Sequence, residues 1–494
     1  MNRNNDGITS HGHLAHASSG DQAVVWNRFC PGLLQLPADD LEELLHDLDD
    51  GDLDVFDADF CADLERSRLS PRVDYARRFS DEMDAYLTST AAQIRSWAEE
   101  RPPFRTINVF NEECNLDCSY CIMKHSWGLR PPAAAADRHR RGAREEGAKR
   151  RRALERSDQR HRVRPDPRGR FLQILHQQYE AMARHGAKEF IMSFNGGEAL
   201  LRSDLVREVV GYVREERGDR KTLISLNTNG TTVSDGIARF LARHDVETHV
   251  SIDGCGGHHD RTRVFRDGRG SYRKVLRGVE RLRSCRGDFV QGFQGTIDDL
   301  EALDREALFA LADLGFEQAQ LSPNLIGVDA DEGERRAAAI FELARSSRDR
   351  KLTVNSSIFD SFKLAVDLGV DFEYVPYCNG LAGRTVPFLQ YNASADRFSY
   401  LCQYAVSASV PAGDRPDPYS PEIGEAAIRF IEQRVEATRR HCMDCSIVGV
   451  CRGGCIIDGL SHENRLNEAA CRYRRALWLH YVRDISRQHA RRAA

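Results

Sequence analysis

The sequence predicts an α/β protein whose core is a partial (β/α)6 TIM-like barrel, preceded by an α-rich N-terminal domain and followed by a cysteine-rich C-terminal extension. Three observations predict this fold. Between residues 104 and 325, short apolar runs alternate with amphipathic helical segments, as repeated βα units do around a parallel sheet. Polar and glycine-rich residues follow the apolar runs, where such barrels carry their active sites. Most of the 14 cysteines fall into two groups, one near residue 118 and one between residues 378 and 471.

The composition is that of a soluble globular chain. Hydrophobic residues make up 41% and charged residues 29% of the 494 residues, and the net charge of −5 argues against a general polyanion binder. No apolar run approaches the roughly 20 residues of a membrane helix, and the N-terminus lacks the apolar centre of a signal peptide. We therefore expect a cytoplasmic protein in which clustered cysteines indicate metal binding rather than disulfides. Cys30, Cys61, Cys255 and Cys285 lie apart and are expected to be buried apolar residues.

Domain boundaries follow from breaks in these patterns. Leu41, Leu44, Leu45 and Leu48 recur at helical spacing, and Pro102-Pro103 ends the helical region. The predicted order is a disordered tail at 1–21, an α-rich domain at 22–103 with a possible role in binding substrate or a leader segment, the core at 104–325, a helical bridge at 326–377, the cysteine-rich extension at 378–475, and a C-terminal helix or tail at 476–494.

Within the core, strands and helices are predicted in alternation. The strands are expected at 106–110, 189–194, 223–226, 248–252, 289–296 and 318–321, and the helices at 171–185, 204–216, 235–243, 275–284 and 305–314. A hairpin is expected at 386–401, beyond the core.

An arginine-rich insertion at 130–170 interrupts the core. It is interpreted as a solvated, partly disordered loop, and the alternative is a basic surface for an acidic peptide or nucleic acid. Aromatic residues do not alternate with these arginines, which argues against base stacking and against a nucleic-acid partner.

The first cysteine group has the spacing Cys114-x3-Cys118-x2-Cys121 and directly follows the first predicted strand of the core. We call residues 114–121 the cysteine loop. Three thiolates cannot close a tetrahedral zinc site without a fourth ligand. They can hold three irons of a 4Fe–4S cube and leave the fourth iron open for a substrate or cofactor. A zinc site and buried thiols are the alternatives.

The cysteine loop, with Tyr120 before its last cysteine and Gly196-Gly197-Glu198 after the next strand, resembles the radical S-adenosylmethionine (SAM) superfamily over residues 106–324. The resemblance implies that the three cysteines ligate a 4Fe–4S cluster whose open iron binds SAM. Cleavage of SAM would then give a 5′-deoxyadenosyl radical that removes a hydrogen atom from the substrate. The resemblance also implies that Tyr120 offers a flat face to adenine. Gly196, Gly197 and Glu198 would approach the ammonium group of SAM.

Four further positions match the family less specifically. Asn227 begins an Asn-Thr-Asn-Gly sequence that resembles the strand-end loop near the ribose of SAM. Ser251 and Arg263 are expected to bind the ribose or carboxylate, because arginine pairs well with a carboxylate. Asp253 is expected to face SAM or the substrate as a catalytic residue, with an ordinary turn as the alternative. His259 is expected to be a loop residue.

The second cysteine group resembles the SPASM extension of radical SAM enzymes that modify peptides. It contains Cys442-x2-Cys445-x5-Cys451-x3-Cys455, with Cys471 after this run and Cys378 and Cys402 before it. The resemblance implies two auxiliary 4Fe–4S clusters, one held by Cys442, Cys445, Cys451 and Cys471 and the other by Cys378, Cys402 and Cys455. A zinc ribbon is the alternative. The family usually has glycine at the position of Arg397, and no nearby eighth cysteine completes the second set, so its fourth iron is open or has another ligand.

These resemblances imply a maturase that crosslinks or dehydrogenates a residue of a ribosomally synthesised peptide or a protein, since auxiliary clusters can accept the second electron of an oxidation. The expected partners are a peptide or protein substrate with a leader segment and an electron donor such as flavodoxin or ferredoxin, without a membrane. A radical SAM dehydrogenase or epimerase acting on a small molecule and a sulfatase-maturase-like enzyme are alternatives. A non-catalytic iron–sulfur or nucleic-acid-binding protein is the alternative from another class.

Overall fold

The structure, a computed structural model, covers most of the N-terminal region, the core and the C-terminal helices. The described residues are 2–3, 8–19, 21–30, 32–50, 62, 64–65, 67–70, 72–121, 167–216, 220–286, 290–298, 305–325, 327–347, 352–355, 388–401, 409–411, 417–455 and 467–493. Most of the predicted arginine-rich insertion lies outside the described residues, as do Cys61 and the predicted ligands Cys378 and Cys402.

The N-terminal region begins with an antiparallel sheet in the order β1-β2-β3-β4-β5. Its strands are β1 (Asn2–Arg3), β2 (Thr9–His11), β3 (Leu14–Ser19), β4 (Gln22–Asn27) and β5 (Leu33–Pro37). The predicted tail at 1–21 is therefore wrong where β1, β2 and β3 form, and the predicted α-rich domain at 22–103 begins with two strands. The reason is that the first three strands are short and built largely from alanine, serine, threonine and histidine, so they lack a strong apolar alternation.

Helices follow this sheet, as the leucine spacing predicted. They are α1 (Ala38–Asp50) and α2 (Tyr75–Glu100). Leu41, Leu44 and Leu45 of α1 are buried in one small core with residues of the sheet. The cap residue Asp74 accepts a hydrogen bond from the Arg77 amide at 2.9 Å at the start of α2.

The core sheet contains every strand predicted between residues 104 and 325. Its order is β12-β11-β10-β9-β8-β7-β6-β13-β14-β15, and all neighbours from β12 to β13 are parallel. The strands are β6 (Thr106–Asn111), β7 (Glu189–Gly196), β8 (Lys221–Thr228), β9 (Val246–Ser251), β10 (Val290–Ile297), β11 (Gln318–Pro323), β12 (Thr353–Asn355), β13 (Phe388–Asn392), β14 (Arg397–Ser399) and β15 (Val410–Pro411). The predicted α/β class with a parallel sheet is confirmed, and the antiparallel pair β13–β14 is the predicted hairpin.

The remaining helices are α3 (Pro167–His185), α4 (Ser203–Glu216), α5 (Asp235–Arg243), α6 (Gly257–Thr262), α7 (Tyr272–Cys285), α8 (Arg305–Asp313), α9 (Ala330–Ser346), α10 (Pro421–Cys442), α11 (Val448–Cys451) and α12 (Glu468–Ala493). Two predicted boundaries are wrong. Arg170 was assigned to the insertion but lies in α3, which proline can start because its missing N–H is not needed there. The boundary at 475 falls inside α12, because this helix continues without a break from the second cysteine group. Within the described part of the chain, every helix is too short or too polar to cross a membrane.

The two faces of the parallel sheet differ in polarity, and this difference decides where a site can form. Phe190, Met192 and Phe194 of β7 are buried on one face, whereas Ser193 and Asn195 alternate with them on the other. Burial alternates in the same way along β8 and β9. We call the second face the polar face. Because the strands are parallel, their carboxyl ends meet at one edge of this face.

Candidate functional site

The cysteine loop leaves the carboxyl end of β6 and is held by the segment that follows α6. The amides of Asp117 and Ser119 donate to the carbonyl oxygens of Val264 and Thr262, at 2.7 and 3.0 Å respectively. Cys118 is buried, and the other two cysteines of the loop are partly exposed. The backbone of the loop is therefore fixed between its cysteines, while two of its thiols stay accessible.

Burial keeps the free thiols of Cys114 and Cys118 protonated. It raises the pKa of Cys118 to about 12, although the charge of Arg263 acts in the opposite direction. Burial also raises the pKa of Cys114, against a hydrogen bond that its Sγ accepts from the Leu116 amide at 3.4 Å. Metal binding at these thiols must therefore release protons.

The donor set of the loop fits an iron–sulfur cluster better than a single metal ion. In the part of the chain that the structure describes, no three His, Cys, Asp or Glu side chains converge on a position for one ion. A structural zinc ion needs four ligands around one point. A cluster is held by thiolates spaced around several irons, which three cysteines of one short loop can supply.

Gly196 and Gly197 bring the end of β7 against the cysteine loop. The Gly197 amide donates to Asn111 O at 2.6 Å, and the Glu198 amide donates to Glu113 O at 2.7 Å. A Cβ atom would lie 2.1 Å from Asn111 O at Gly196 and 2.3 Å from Glu113 O at Gly197. Gly196 also has a φ of +121°, which other residues rarely adopt. The close approach that requires these glycines is between two backbone segments, and their approach to SAM stays a prediction.

The carboxylate of Glu198 is fully buried and acts as an internal anchor. It accepts hydrogen bonds from Thr228 Oγ1 at 2.7 Å, the Asn229 amide at 2.6 Å and the Leu200 amide at 3.0 Å. Burial raises the pKa of Glu198, while these hydrogen bonds act against the rise. Asn229 in turn donates to Asn115 Oδ1 of the cysteine loop at 2.9 Å. Glu198 thus ties the ends of β7 and β8 to the loop, and its contact with the ammonium group of SAM stays a prediction.

Asn227 belongs to a row of amide side chains on the polar face. It donates to Asn195 Oδ1, and Asn195 donates to Asn108 Oδ1 at 2.7 Å. Asn108 donates to Gln390 Oε1 at 2.6 Å, and Gln294 donates to Asn227 Oδ1 at 3.3 Å. The row therefore links strands from β10 to β13. The sequence analysis named only Asn227, although polar residues inside apolar strands were a signal for the others.

β9 places three more polar residues on this face. Ser251 is half-buried at the carboxyl end of the strand, opposite Gln294 of β10. His249 Nε2 lies 3.0 Å from Glu247 Oε1. The contact of Ser251 with SAM stays a prediction. The pair of Glu247 and His249 was not identified from the sequence, although their alternation with buried residues marks the same face.

Asp253, two residues beyond β9, is the centre of a buried network beside the cysteine loop. Its carboxylate accepts hydrogen bonds from the Tyr120 hydroxyl, from Thr262 Oγ1 at 3.2 Å and from the Thr296 amide at 2.8 Å. Arg263 Nε lies 2.9 Å from Asp253 Oδ2 as an ion pair. The side chain of Asp253 is 1% exposed and is surrounded by partners that hold the loop in place, and its catalytic role stays a prediction.

Tyr120 and Arg263 also contact each other, and the buried His259 bonds to the backbone of Asp253, their common partner. The guanidinium carbon of Arg263 lies 5.5 Å from the centroid of the Tyr120 ring. Burial raises the pKa of Tyr120 well above its usual value, so its hydroxyl remains a donor. His259, expected as a loop residue, is fully buried in α6, accepts from the Asp253 amide at 3.2 Å and donates to Ser271 Oγ at 3.0 Å. Burial lowers the pKa of His259 to about 4, so the ring is neutral. The contacts of Tyr120 with adenine and of Arg263 with SAM stay predictions.

Four cysteines of the second group line one cavity, to which α10, α11 and α12 contribute. They are Cys442, Cys445, Cys451 and Cys471. Burial raises the pKa of Cys442, and the other three thiols raise it further. Four thiols around one cavity suit the 4Fe–4S cluster that the resemblance implies, and they also match the ligand set of a structural zinc ion. Cys455 is partly exposed nearby in the chain.

Fold and cysteine loop together define an α/β protein equipped to hold an iron–sulfur cofactor. Residues 108–299 match the family model described as "Radical SAM superfamily". The chain therefore contains a radical SAM domain, and the resemblance drawn from the cysteine spacing is confirmed. Such a domain implies a 4Fe–4S cluster and SAM as its cofactors.

The chain is similar to sulfatase-maturating enzymes. It is 24% identical over 290 residues to the serine-type anaerobic sulfatase-maturating enzyme of Klebsiella aerogenes, over 56% of this chain and 69% of that protein. It is 29% identical over 92 residues to the cysteine-type anaerobic sulfatase-maturating enzyme of Clostridium novyi (strain NT), over 18% of this chain and 25% of that protein. The solved structure of native anSMEcpe with bound AdoMet and Cp18Cys peptide matches 78% of this chain and 99% of its own, with 15% identity and a TM-score of 0.55. This last likeness shows a shared fold.

Proposed function

We propose that the protein is a radical SAM enzyme with a C-terminal SPASM extension that crosslinks or dehydrogenates a residue of a ribosomally synthesised peptide or a protein. The observation that carries this proposal is a cavity lined by four cysteines in a chain that contains a radical SAM domain. When bound, the cofactors supply a 5′-deoxyadenosyl radical and acceptors for the second electron of an oxidation. Similarity to sulfatase-maturating enzymes favours a peptide or protein substrate over a small molecule.

In this proposal the residues of the chain divide into ligands and positioning residues. Cys114, Cys118 and Cys121 would hold the SAM-binding cluster. Glu198 and Asp253 would position the loop, because both carboxylates are buried and bonded to donors on neighbouring segments. A shift of the loop would move the ligands, so these carboxylates affect chemistry without touching the reacting atoms.

The polar face would line the substrate chamber of the expected partial barrel. Parallel sheets usually have both faces covered by apolar contacts, and a face with this many amide and hydroxyl groups instead suits a polar ligand. The amide row and the pair of Glu247 and His249 offer donors and acceptors that match peptide groups.

The test is anaerobic incubation of the reconstituted full-length protein with SAM, a reductant and a peptide encoded beside its gene. We expect 5′-deoxyadenosine and a peptide that has lost two hydrogen masses. The triple variant Cys114→Ala, Cys118→Ala, Cys121→Ala should yield neither, and Cys442→Ala with Cys445→Ala should still cleave SAM but give no oxidised peptide. SAM cleavage without any change in peptide mass would count against a peptide substrate, and unchanged cleavage by the triple variant would remove the catalytic assignment.

A sulfatase-maturating activity is the second candidate, favoured by the similarity over 69% of the serine-type enzyme. A peptide that carries the serine or cysteine target of an anaerobic sulfatase separates the two. Oxidation of that peptide and not of the neighbouring gene product would establish the second candidate, and the reverse result would exclude it.

A further inference from the structure

We propose that Arg28, the residue directly after β4 of the N-terminal sheet, raises the reduction potential of an iron–sulfur cluster held by Cys442, Cys445, Cys451 and Cys471. This inference rests on the proposed function, which assigns a cluster to these cysteines. It makes the N-terminal region a support of the turn that carries Cys442 and Cys445, and it assigns a redox role to a residue far from this turn in the sequence.

The N-terminal sheet packs directly on the loop between α10 and α11. Trp26 Nε1 donates to Ser446 O at 2.8 Å, and the Gly449 amide donates to Arg28 O at 2.6 Å. A Cβ atom at Gly449 would lie 2.2 Å from the carbonyl carbon of Phe29. The two segments therefore meet backbone to backbone, and Trp26 is 1% exposed in this contact.

The Arg28 guanidinium is fixed on the turn that carries two of the predicted ligands. Its Nη2 donates to Met443 O at 2.9 Å, and its Nε donates to Cys445 O at 3.3 Å. Its Nη1 donates to Gly12 O at 2.7 Å, so the N-terminal sheet holds the other side of the group. The guanidinium thus spans the segment between Cys442 and Cys445, and an arginine remains charged in proteins.

A fixed positive charge favours the reduced state of a neighbouring cluster, because reduction adds a negative charge. Loss of the charge should therefore lower the potential. We expect Arg28→Gln to shift the one-electron equilibrium at least tenfold towards oxidation, which is about 59 mV for n = 1. Arg28→Lys should shift it much less, because it keeps the charge.

The experiment is an EPR-monitored redox titration of the full-length protein in a background of Cys114→Ala, Cys118→Ala and Cys121→Ala, which removes the SAM-binding cluster. The EPR signal assigned to this cluster is the one that disappears when Cys442→Ala and Cys445→Ala are introduced together. Arg95→Gln is the matched control, because Arg95 pairs with Glu425 near the opposite end of α10 at 2.8 Å. Asp444 is an exposed residue in the same turn, and Asp444→Asn should raise the reduction potential because it removes a negative charge. If the Arg28→Gln protein does not hold iron, this second variant tests the electrostatic argument.

The outcomes separate the two proposals. If Cys442→Ala with Cys445→Ala keeps all iron and sulfide, no cluster is bound there, and the cluster assignment fails together with the role of Arg28. If the cluster is present but Arg28→Gln leaves its potential unchanged, only the role of Arg28 fails. Equal shifts of the potential in Arg28→Lys and Arg28→Gln would also overturn the role of Arg28. If Arg28→Gln holds no iron, an unchanged potential in Asp444→Asn would overturn it as well.

Discussion

Replacing Gly197 with alanine should force the end of β7 away from the cysteine loop. The new Cβ would lie 2.3 Å from Glu113 O and 2.9 Å from Glu112 O, which are backbone atoms that cannot rotate aside. An ordinary carbon–oxygen contact needs a shift of about 1 Å. That shift would break the 2.6 Å bond from Gly197 to Asn111 and the 2.7 Å bond from Glu198 to Glu113. Two hydrogen bonds at about 1 kcal/mol each and overpacking of about 1–3 kcal/mol give an expected loss of about 3–5 kcal/mol in the free energy of unfolding.

Urea unfolding of the metal-free protein, followed by far-UV circular dichroism, measures this loss. Gly211→Ala is the matched control, because a Cβ at this position in α4 meets nothing within 4 Å. There, alanine should stabilise the helix by about 0.5–1 kcal/mol. If Gly197→Ala unfolds within about 1 kcal/mol of the wild type, or if both alanines destabilise equally, the steric argument is wrong.

Three substitutions test the network around Asp253. The buried His259 has a pKa of about 4, below its ordinary 6.5, so its contribution to stability is complete above pH 6.5 and falls as the pH drops towards 4. Between pH 7 and pH 5 the wild type should therefore lose about 2 kcal/mol more of its unfolding free energy than His259→Asn, and parallel losses in urea titrations would contradict this. Tyr120→Phe removes a hydrogen-bond donor to a buried carboxylate and should lower the free energy of unfolding by about 1.5–3 kcal/mol. The control is Tyr212→Phe, because the hydroxyl of Tyr212 bonds to no described residue, and it should change the free energy of unfolding by less than about 0.5 kcal/mol. Asp253→Asn should lower the iron content of the reconstituted cysteine loop, and a variant that loads iron normally but fails in hydrogen abstraction would show that Asp253 is catalytic.

The core was predictable because its strands and helices repeat one local pattern. In β7, for example, Met192 and Phe194 alternate with Ser193 and Asn195, and this alternation is visible without any tertiary contact. The N-terminal sheet was missed because its strands are stabilised by pairing, such as that of Ala17 with Val24, more than by their own composition. Contacts between strands are tertiary, and a short polar strand carries little information about them.

The roles of the site residues were less predictable than their positions. Motif spacing identified Asp253 and Glu198 as members of the site, yet their exposure depends on residues far away in the chain. The Tyr120 hydroxyl reaches Asp253 across 133 positions, and Asn229 reaches Glu198 across 31. A motif alone indicates that such a carboxylate faces a ligand. The distant contacts show that it is hydrogen-bonded on several sides within the protein.

The position of the N-terminal sheet decides how its predicted role in substrate binding can be tested. Deleting residues 1–37 would remove Trp26, whose ring lies 6.0 Å from that of Trp478 in an edge contact, and would uncover the loop that carries Cys445. Trp26→Ala alone should lower the free energy of unfolding by about 3–5 kcal/mol, as for other buried aromatic residues. We therefore expect the truncated protein to lose iron from the second cysteine group whether or not the sheet binds a leader. A truncated protein that keeps this iron and its reduction potential would show that the sheet is an independent module. Only in that case would a loss of peptide-modifying activity report on substrate binding.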